Sequence, residues 1–447
     1  MASSRWTRPL AVLAAVLLAT VAPMPAQEAH EGPHAVRRTT ALARLDARLL
    51  LTPSAMSYMT DDQPGFTQAT DFQYFTGLSD VVGAVLALDG HAQTSVLFVQ
   101  PPNPVLTRWQ PSASEESARR LGVGAVLPID SLAPWLASRW SQWPAILVSP
   151  IDARGSLAGP LPMANSVNRW SNYLAQLGYT GTVQNAIPLT RPIRAIKDAA
   201  ELQVIARVGT LSGSAMLAGM RALAPGRMQR EVEVRIVEAC VQGGGVHSFW
   251  PWAMSGPQAV YTQLFDAFVD YDSHNRAMRA GELVRVDVGC RLEQYMGDVG
   301  RTAPVTGRFT PGQREAWNLF VAGYQAGLAT VRDGARVDDV YAAALARIRA
   351  LKATLRTDEG KRAAEELLST RGTEAWEMHG VGLDDAEGNM SVLATAMVVA
   401  YELMFAVDGN GYYLEDLVQV LPNGARVLTA GLPYTADEIE RVMVRRR

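Results

Sequence analysis

At 447 residues the chain is longer than one hydrophobic core usually serves, so two domains are expected. Its 41 Lys and Arg against 44 Asp and Glu, a net charge of -3, leave no electrostatic case for a nucleic-acid partner. The hydrophobic share of 48% is that of a globular protein. Only two cysteines are present, Cys240 in a helical run and Cys290 in a strand-like one, which argues against a structural disulfide framework.

The amino terminus, "MASSRWTRPLAVLAAVLLATVAPMPAQEA", has a basic start with Arg5 and Arg8, an apolar run from Leu10 to Ala22, then small residues and proline. That pattern reads as an export signal cleaved after Ala26, a signal peptide over 1–26, with an uncleaved anchor as the alternative. The run is too short for a comfortable membrane span, and no later stretch is long and apolar enough for one. A secreted or periplasmic chain with no membrane partner after cleavage is the expectation. Between about 35 and 190, "DFQYFTGLSDVVGAVLAL", "TSVLFVQ", "SASEESARRLG" and "AILVSP" alternate β-like with helical runs, predicting a mixed sheet with helices. The Pro-rich "QNAIPLTRPIRAIKDAAELQ" reads as the hinge into a second domain over 191–447, with Asp198 placed to cap a helix that Glu201, Leu202, Ile205 and Val208 continue. "AELQVIARVGTLSGSAMLAGMRAL" and "QREVEVRIVEACVQGGG" predict a helical hairpin broken at Pro225-Gly226. Beyond it the order is strand hairpin, helices, strand hairpin.

Both strand hairpins carry carboxylates where core residues belong. In "GELVRVDVGCRLEQYMGDVGRT", a turn centred on Leu292-Glu293 would set Asp287 opposite Asp298. In "MVVAYELMFAVDGNGYYLEDLVQVL", Asp408-Gly409 is a two-residue turn signal, and Glu402 then faces Glu415. Carboxylates that close in a low dielectric either keep a proton or share a cation. Between the hairpins, "WEMHGVGLDDAEG" places His379 beside glycines that allow close approach. Four carboxylates and an imidazole make an oxygen-rich set suited to two divalent ions, with manganese, zinc, cobalt and iron all compatible.

"VDVGCRLEQYMGDVGRTAPVTGRFTPGQREAW", "HGVGLD" and "LEDLVQVLPNGARVLT" resemble the metallopeptidase family of aminopeptidase P, prolidase and methionine aminopeptidase. "TDFQYFTGLSDVVGAVLAL" and "RPIRAIKDAAELQVI" resemble aminopeptidase P and prolidase specifically. The resemblance implies an α/β (α+β) fold: a pita-bread catalytic domain behind a mixed-sheet, creatinase-like N-terminal domain. It implies Asp287, Asp298, His379, Glu402 and Glu415 as metal ligands, two ions with manganese foremost, and Glu402 as the catalytic acceptor of the attacking water's proton. Cleavage of the Xaa-Pro bond at a peptide's N-terminus, a substrate with proline in second position, and a homo-oligomer, dimer or tetramer, are implied as well.

The chain departs from that pattern around the substrate. Positions that carry histidine in aminopeptidase P read Asp270, Ala375 and Ala386, Tyr413 replaces an arginine two residues before the last glutamate, and Leu403 replaces a proline. The alternatives are therefore a metal-dependent hydrolase of another amide or ester, or a catalytically impaired member acting as a binding protein. His274 and His247 are candidate substitute proton donors or plain loop histidines. Tyr413 could donate a hydrogen bond to a carbonyl oxygen or pack against the sheet. Phe249, Trp250 and Trp252 line a pocket or fill the core.

Overall fold

A computed structural model describes residues 32–55, 66–150, 166–260, 266, 269–369 and 376–443. The proposed signal peptide and Ala375 lie outside the described residues. In chain order the first half gives α1 (Pro33–Arg44), β1 (Leu49–Pro53), α2 (Thr70–Thr76), β2 (Val85–Asp89), β3 (Thr94–Val99), α3 (Glu115–Leu121), β4 (Ala125–Pro128), α4 (Leu132–Ala137), β5 (Ala145–Val148), α5 (Ser166–Gln176), β6 (Thr182–Asn185) and α6 (Ile187–Ala195). Its sheet runs β4-β3-β2-β1-β5-β6, antiparallel across β3-β2-β1 and parallel outside them, the mixed sheet the sequence predicts. The stretch "DFQYFTG", which opens a β-like run, is instead helical: Asp71 sits in the first turn of α2 and Gly77 closes it at φ 73°. Acid at the start and a left-handed glycine at the end are helix signals that outweigh the aromatic content. Buried Arg38 ties these helices together, donating to the carbonyls of Phe75, Leu121 and Gly122 at the ends of α2 and α3.

The hinge segment folds as α6, with Pro192 inside it, and leads into α7 (Ala199–Ala222). Asp198 caps α7 as expected, accepting from the Glu201 amide while Glu201 accepts from its own. There follow α8 (Gln229–Gln242), β7 (Val246–His247), β8 (Trp252–Ser255), β9 (Leu283–Val288), β10 (Cys290–Leu292), β11 (Tyr295–Met296), β12 (Val299–Pro304), α9 (Pro311–Leu328), α10 (Val337–Leu351), α11 (Asp358–Leu368), β13 (Glu377–Gly380), β14 (Val398–Val407), β15 (Asn410–Leu421), β16 (Gly424–Val427) and α12 (Ala436–Met443). The main sheet runs β13-β14-β15-β12-β9-β8, antiparallel throughout, with β16 on β15. It is the curled antiparallel sheet expected of a pita-bread domain. One face, carrying Val284, Val286, Val299, Tyr401, Leu403, Tyr412 and Leu414, packs with Met216, Ile236, Trp317, Phe320 and Tyr324 of the helices. On that face Arg301 donates to Asp416, which also accepts from Tyr324 and Tyr434. The other face bears the carboxylates.

The two hairpins differ in how well sequence fixes their register. Asp408 and Gly409 adopt φ 51° and 75°, a left-handed pair, and Glu402 pairs with Glu415 as expected. In the first hairpin the left-handed pair is Glu293-Gln294, φ 49° and 70°, one residue later than expected. Asp287 consequently pairs with Gly300, not with Asp298, and the two aspartates are diagonal neighbours on one face.

Contrary to the expectation from cysteine count, Cys240 and Cys290 form a disulfide, with Cα atoms 5.6 Å apart and a sequence separation of 50. Periodicity puts each cysteine in a core position: Val232, Ile236 and Cys240 share the buried stripe of α8, while Val286, Val288 and Cys290 are buried in the adjoining strands, and the packing of α8 on them brings the two together. The bridge pins α8 to the ribbon that connects Asp287 to Asp298. A C240S/C290S variant is expected to lose about 2–4 kcal/mol of stability, the usual range for removing a native disulfide that closes a long loop. Denaturant unfolding of oxidised wild type beside the variant measures this.

Candidate metal centre

Strand alternation brings the predicted residues to one face. Arg285 and Asp287 come from β9, Gly300 from β12, Glu402 from β14, and Tyr413 and Glu415 from β15, with Gly300 paired to both Asp287 and Glu415. Asp298 precedes β12 in phase with Gly300, and His379 on β13 pairs with Ala400, two residues before Glu402. His379 Nε2 lies 3.9 Å from Asp298 Oδ2 and 3.8 Å from Glu402 Oε2. One ligand atom each from Asp298, His379 and Glu415 fall within 4.8 Å of one another, a buried group able to hold one metal ion.

The electrostatics are those of a cation site. Burial raises the Asp287 and Glu402 carboxyls to about 7 each, against the pull of Arg285 in the other direction. Burial again, followed by the charges of Glu415 on Asp298 and of Glu402 on Glu415, pushes those two well above the carboxylate range. Asp287 Oδ1 and Glu415 Oε1 are buried without a hydrogen-bond partner. Orphaned buried carboxylate oxygens are costly unless protonated or bound to a cation, so the donor set fits a hard divalent ion.

Arg285 and the ionic network after β13 escaped sequence reading, whereas Tyr413 was read as a candidate hydrogen-bond donor. Arg285 Nη2 is 3.6 Å from Asp287 Oδ2, and its guanidinium lies over the Tyr413 ring, 4.2 Å from the centroid. The signal was present, because a residue two before Asp287 on a strand must share its face. Tyr413 donates to Glu415 Oε2 at 2.6 Å, so its hydroxyl is directed at a carboxylate of the centre. The loop after β13 is held by a buried ionic network. Arg194 reaches Asp71 at 3.0 Å, Asp384 at 2.6 Å and Glu387 at 2.6 Å, and Lys197 reaches Glu387 at 2.5 Å. Half-buried Asp385 in that loop adds negative potential to Asp287 and Asp298.

The substitute histidines are not gathered in. His274 is in an exposed turn, its Nδ1 donating to the Asp270 carbonyl at 2.6 Å. His247 is half-buried on β7 with its ring beside Trp250, and burial lowers its pKa. Ala386 is exposed, and Leu403 is buried on the helix face. The aromatic segment divides. Trp252 and Met254 are buried and pack with Phe249 and Tyr271, Trp252 pairing with Asp287 on β9, while Trp250 is 38% exposed and donates to Glu233.

Two family models match: metallopeptidase family M24 over residues 203–422, and the aminopeptidase P N-terminal domain over 34–146. The chain belongs to metallopeptidase family M24. Within that family it is similar to a Xaa-Pro aminopeptidase of Haemophilus influenzae, 23% identical over 95% of this chain and 99% of the relative. Xaa-Pro aminopeptidase 2 of Streptomyces coelicolor is 30% identical over 57% of each chain. Aminopeptidase P from Escherichia coli with the inhibitor Pro-Leu superimposes with a TM-score of 0.71, covering 95% of this chain and 99% of that one at 23% identity. The family and the ligand group together make this chain a metallopeptidase-like enzyme. Among the described residues no helix is long and apolar enough to cross a membrane.

Proposed function

We propose that this chain is an exported metal-dependent hydrolase that holds divalent ions on Asp287, Asp298, His379, Glu402 and Glu415 and cleaves an amide or ester other than the Xaa-Pro bond. The observation that carries it is a division within the site. All five donors stand on one buried face, while Asp270 and Ala386, which replace family histidines, are both exposed. Bound divalent ions would acidify a water and polarise the scissile carbonyl. Glu402, on the same face as the other donors and 3.8 Å from His379 Nε2, would be the residue that accepts that water's proton and returns it to the leaving group. Buried Trp252 pairs with Asp287, so an apolar ring borders the carboxylate face on that side. Manganese suits the carboxylate-rich set, with zinc, cobalt and iron as alternatives. The export signal and the Cys240–Cys290 bridge agree with an oxidising compartment.

A second reading, Xaa-Pro aminopeptidase activity, is favoured by the names of relatives that span nearly the whole chain. Manganese-loaded protein assayed on Ala-Pro-Ala beside a panel of non-proline dipeptides, acyl amides and esters separates the two. Turnover of a non-proline substrate with kcat/KM at least tenfold above that for Ala-Pro-Ala is expected; preference for Ala-Pro-Ala would establish the second reading instead.

A further inference from the structure

Two buried side chains on the carboxylate face, neither of them a proposed ligand, each sit two residues before a proposed ligand and stack on one another. Arg285 precedes Asp287 on β9, and Tyr413 precedes Glu415 on β15. These strands lie on either side of β12, whose Gly300 is paired with both acids. A Cβ at Gly300 would overlap the Tyr413 ring, so the missing side chain is what lets that ring lie across β12 towards β9. There the ring meets Arg285, whose guanidinium stacks on it at 4.2 Å. Both residues are buried, 2% and 1% exposed.

From this geometry we propose that Arg285 and Tyr413 act as one positioning unit for the metal centre, fixing Asp287 and Glu415 from opposite sides of β12. The inference rests on the metal-centre reading above. One end of the unit is the guanidinium, 3.6 Å from Asp287 Oδ2; the other is the phenol hydroxyl, 2.6 Å from Glu415 Oε2. The guanidinium faces one oxygen of Asp287 as an ion pair and the phenol hydrogen-bonds one oxygen of Glu415, while Asp287 Oδ1 and Glu415 Oε1 accept no hydrogen bond. A carboxylate anchored through one oxygen presents the second in a fixed direction, the arrangement of an outer partner that orients a ligand. The stack couples the two ends, because a desolvated guanidinium over a phenol ring is held in place by the ring while fixing the ring's tilt. Arg285 is also a permanent positive charge beside Asp287, and it favours the ionised ligand that a cation requires.

The test is cobalt and manganese binding by R285M, R285K, Y413F and R285M/Y413F, with metal-free circular dichroism to verify folding. R285M is expected to weaken binding about 10–100-fold and Y413F about tenfold, the range for loss of an outer partner of a ligand. Both are expected to alter the visible absorption of bound cobalt, because ligand orientation changes. The double variant should lose no more than about threefold beyond R285M, since one unit can be broken only once. R285K should recover part of the affinity and, should R285M fail to fold, it carries the comparison with Y413F. Variants that match wild type in affinity and cobalt spectrum, or losses that multiply in the double variant, would overturn the unit while leaving the metal centre in place. A wild type that binds neither ion would overturn both.

Discussion

Glu415→Ala is expected to abolish tight binding of divalent ions while leaving the chain folded, weakening manganese affinity by more than about a hundredfold, since even an outer partner is worth 10–100-fold. Glu415 faces Glu402 across β14 and β15, and its Oε2 is fixed by Tyr413. Its loss removes one corner of the group formed with Asp298 and His379. In wild type, manganese at 100 times its dissociation constant should add about 2.7 kcal/mol to stability; in the variant it should add nothing measurable. Without metal, wild type should lose stability as pH rises. Asp287 and Glu402 have folded pKa values near 7, raised above their ordinary 3.8 and 4.5, so the folded state holds more protons than the unfolded one. That contribution is complete below about pH 4 and is lost as pH rises through 7. Metal-free wild type should therefore weaken between pH 5 and pH 8, and metal should reverse the trend; thermal melts at the two pH values, with and without manganese, measure it. Equal stabilisation of wild type and variant by manganese would remove Glu415 from the centre.

Arg194→Met should be the most damaging single change outside the centre, costing about 3–5 kcal/mol, as expected when one partner is removed from a buried ionic group. The guanidinium joins Asp71 of α2 to Asp384 and Glu387 of the loop after β13, so it fastens the amino-terminal sheet domain to the loop that follows His379. Lys197 alone cannot replace it, because Glu387 would keep one cation while Asp71 and Asp384 lost theirs. Burial raises the Glu387 carboxyl, but Lys197 and Arg194 overcome that and hold it near 2. A depressed acid contributes stability above its ordinary 4.5 and loses it as pH falls through 2. The acid-unfolding midpoint of R194M should accordingly lie at higher pH than that of wild type, read by circular dichroism. An unchanged midpoint together with unchanged denaturant stability would show that the network adds nothing.

What was legible in the sequence is what local turn chemistry determines. Asp408-Gly409 can make a left-handed two-residue turn, and that sets Glu402 against Glu415 without further information. The first hairpin turns at Glu293-Gln294, two residues with no glycine to advertise positive φ, so the register of Asp287 was read two residues out. Both aspartates still share the carboxylate face because a shift of two preserves the face. Arg285 was legible by the same alternation and was passed over, since an arginine in a core strand is conspicuous only once its acidic neighbours are taken as a site. Arg194, Lys197, Asp384 and Glu387 were not legible, because their contacts join segments about 190 residues apart and no local pattern links them. The cysteine pair lies between: each residue occupies the core phase of its own element, but only the packing of α8 on the sheet brings the two together.

The most direct test of the central claim, that the carboxylate face is a divalent-metal centre, is metal content per chain after equilibration with manganese and removal of free ion. At least one tightly held ion per wild-type chain and none in E415A is the predicted result. No bound ion in correctly folded wild type would contradict it.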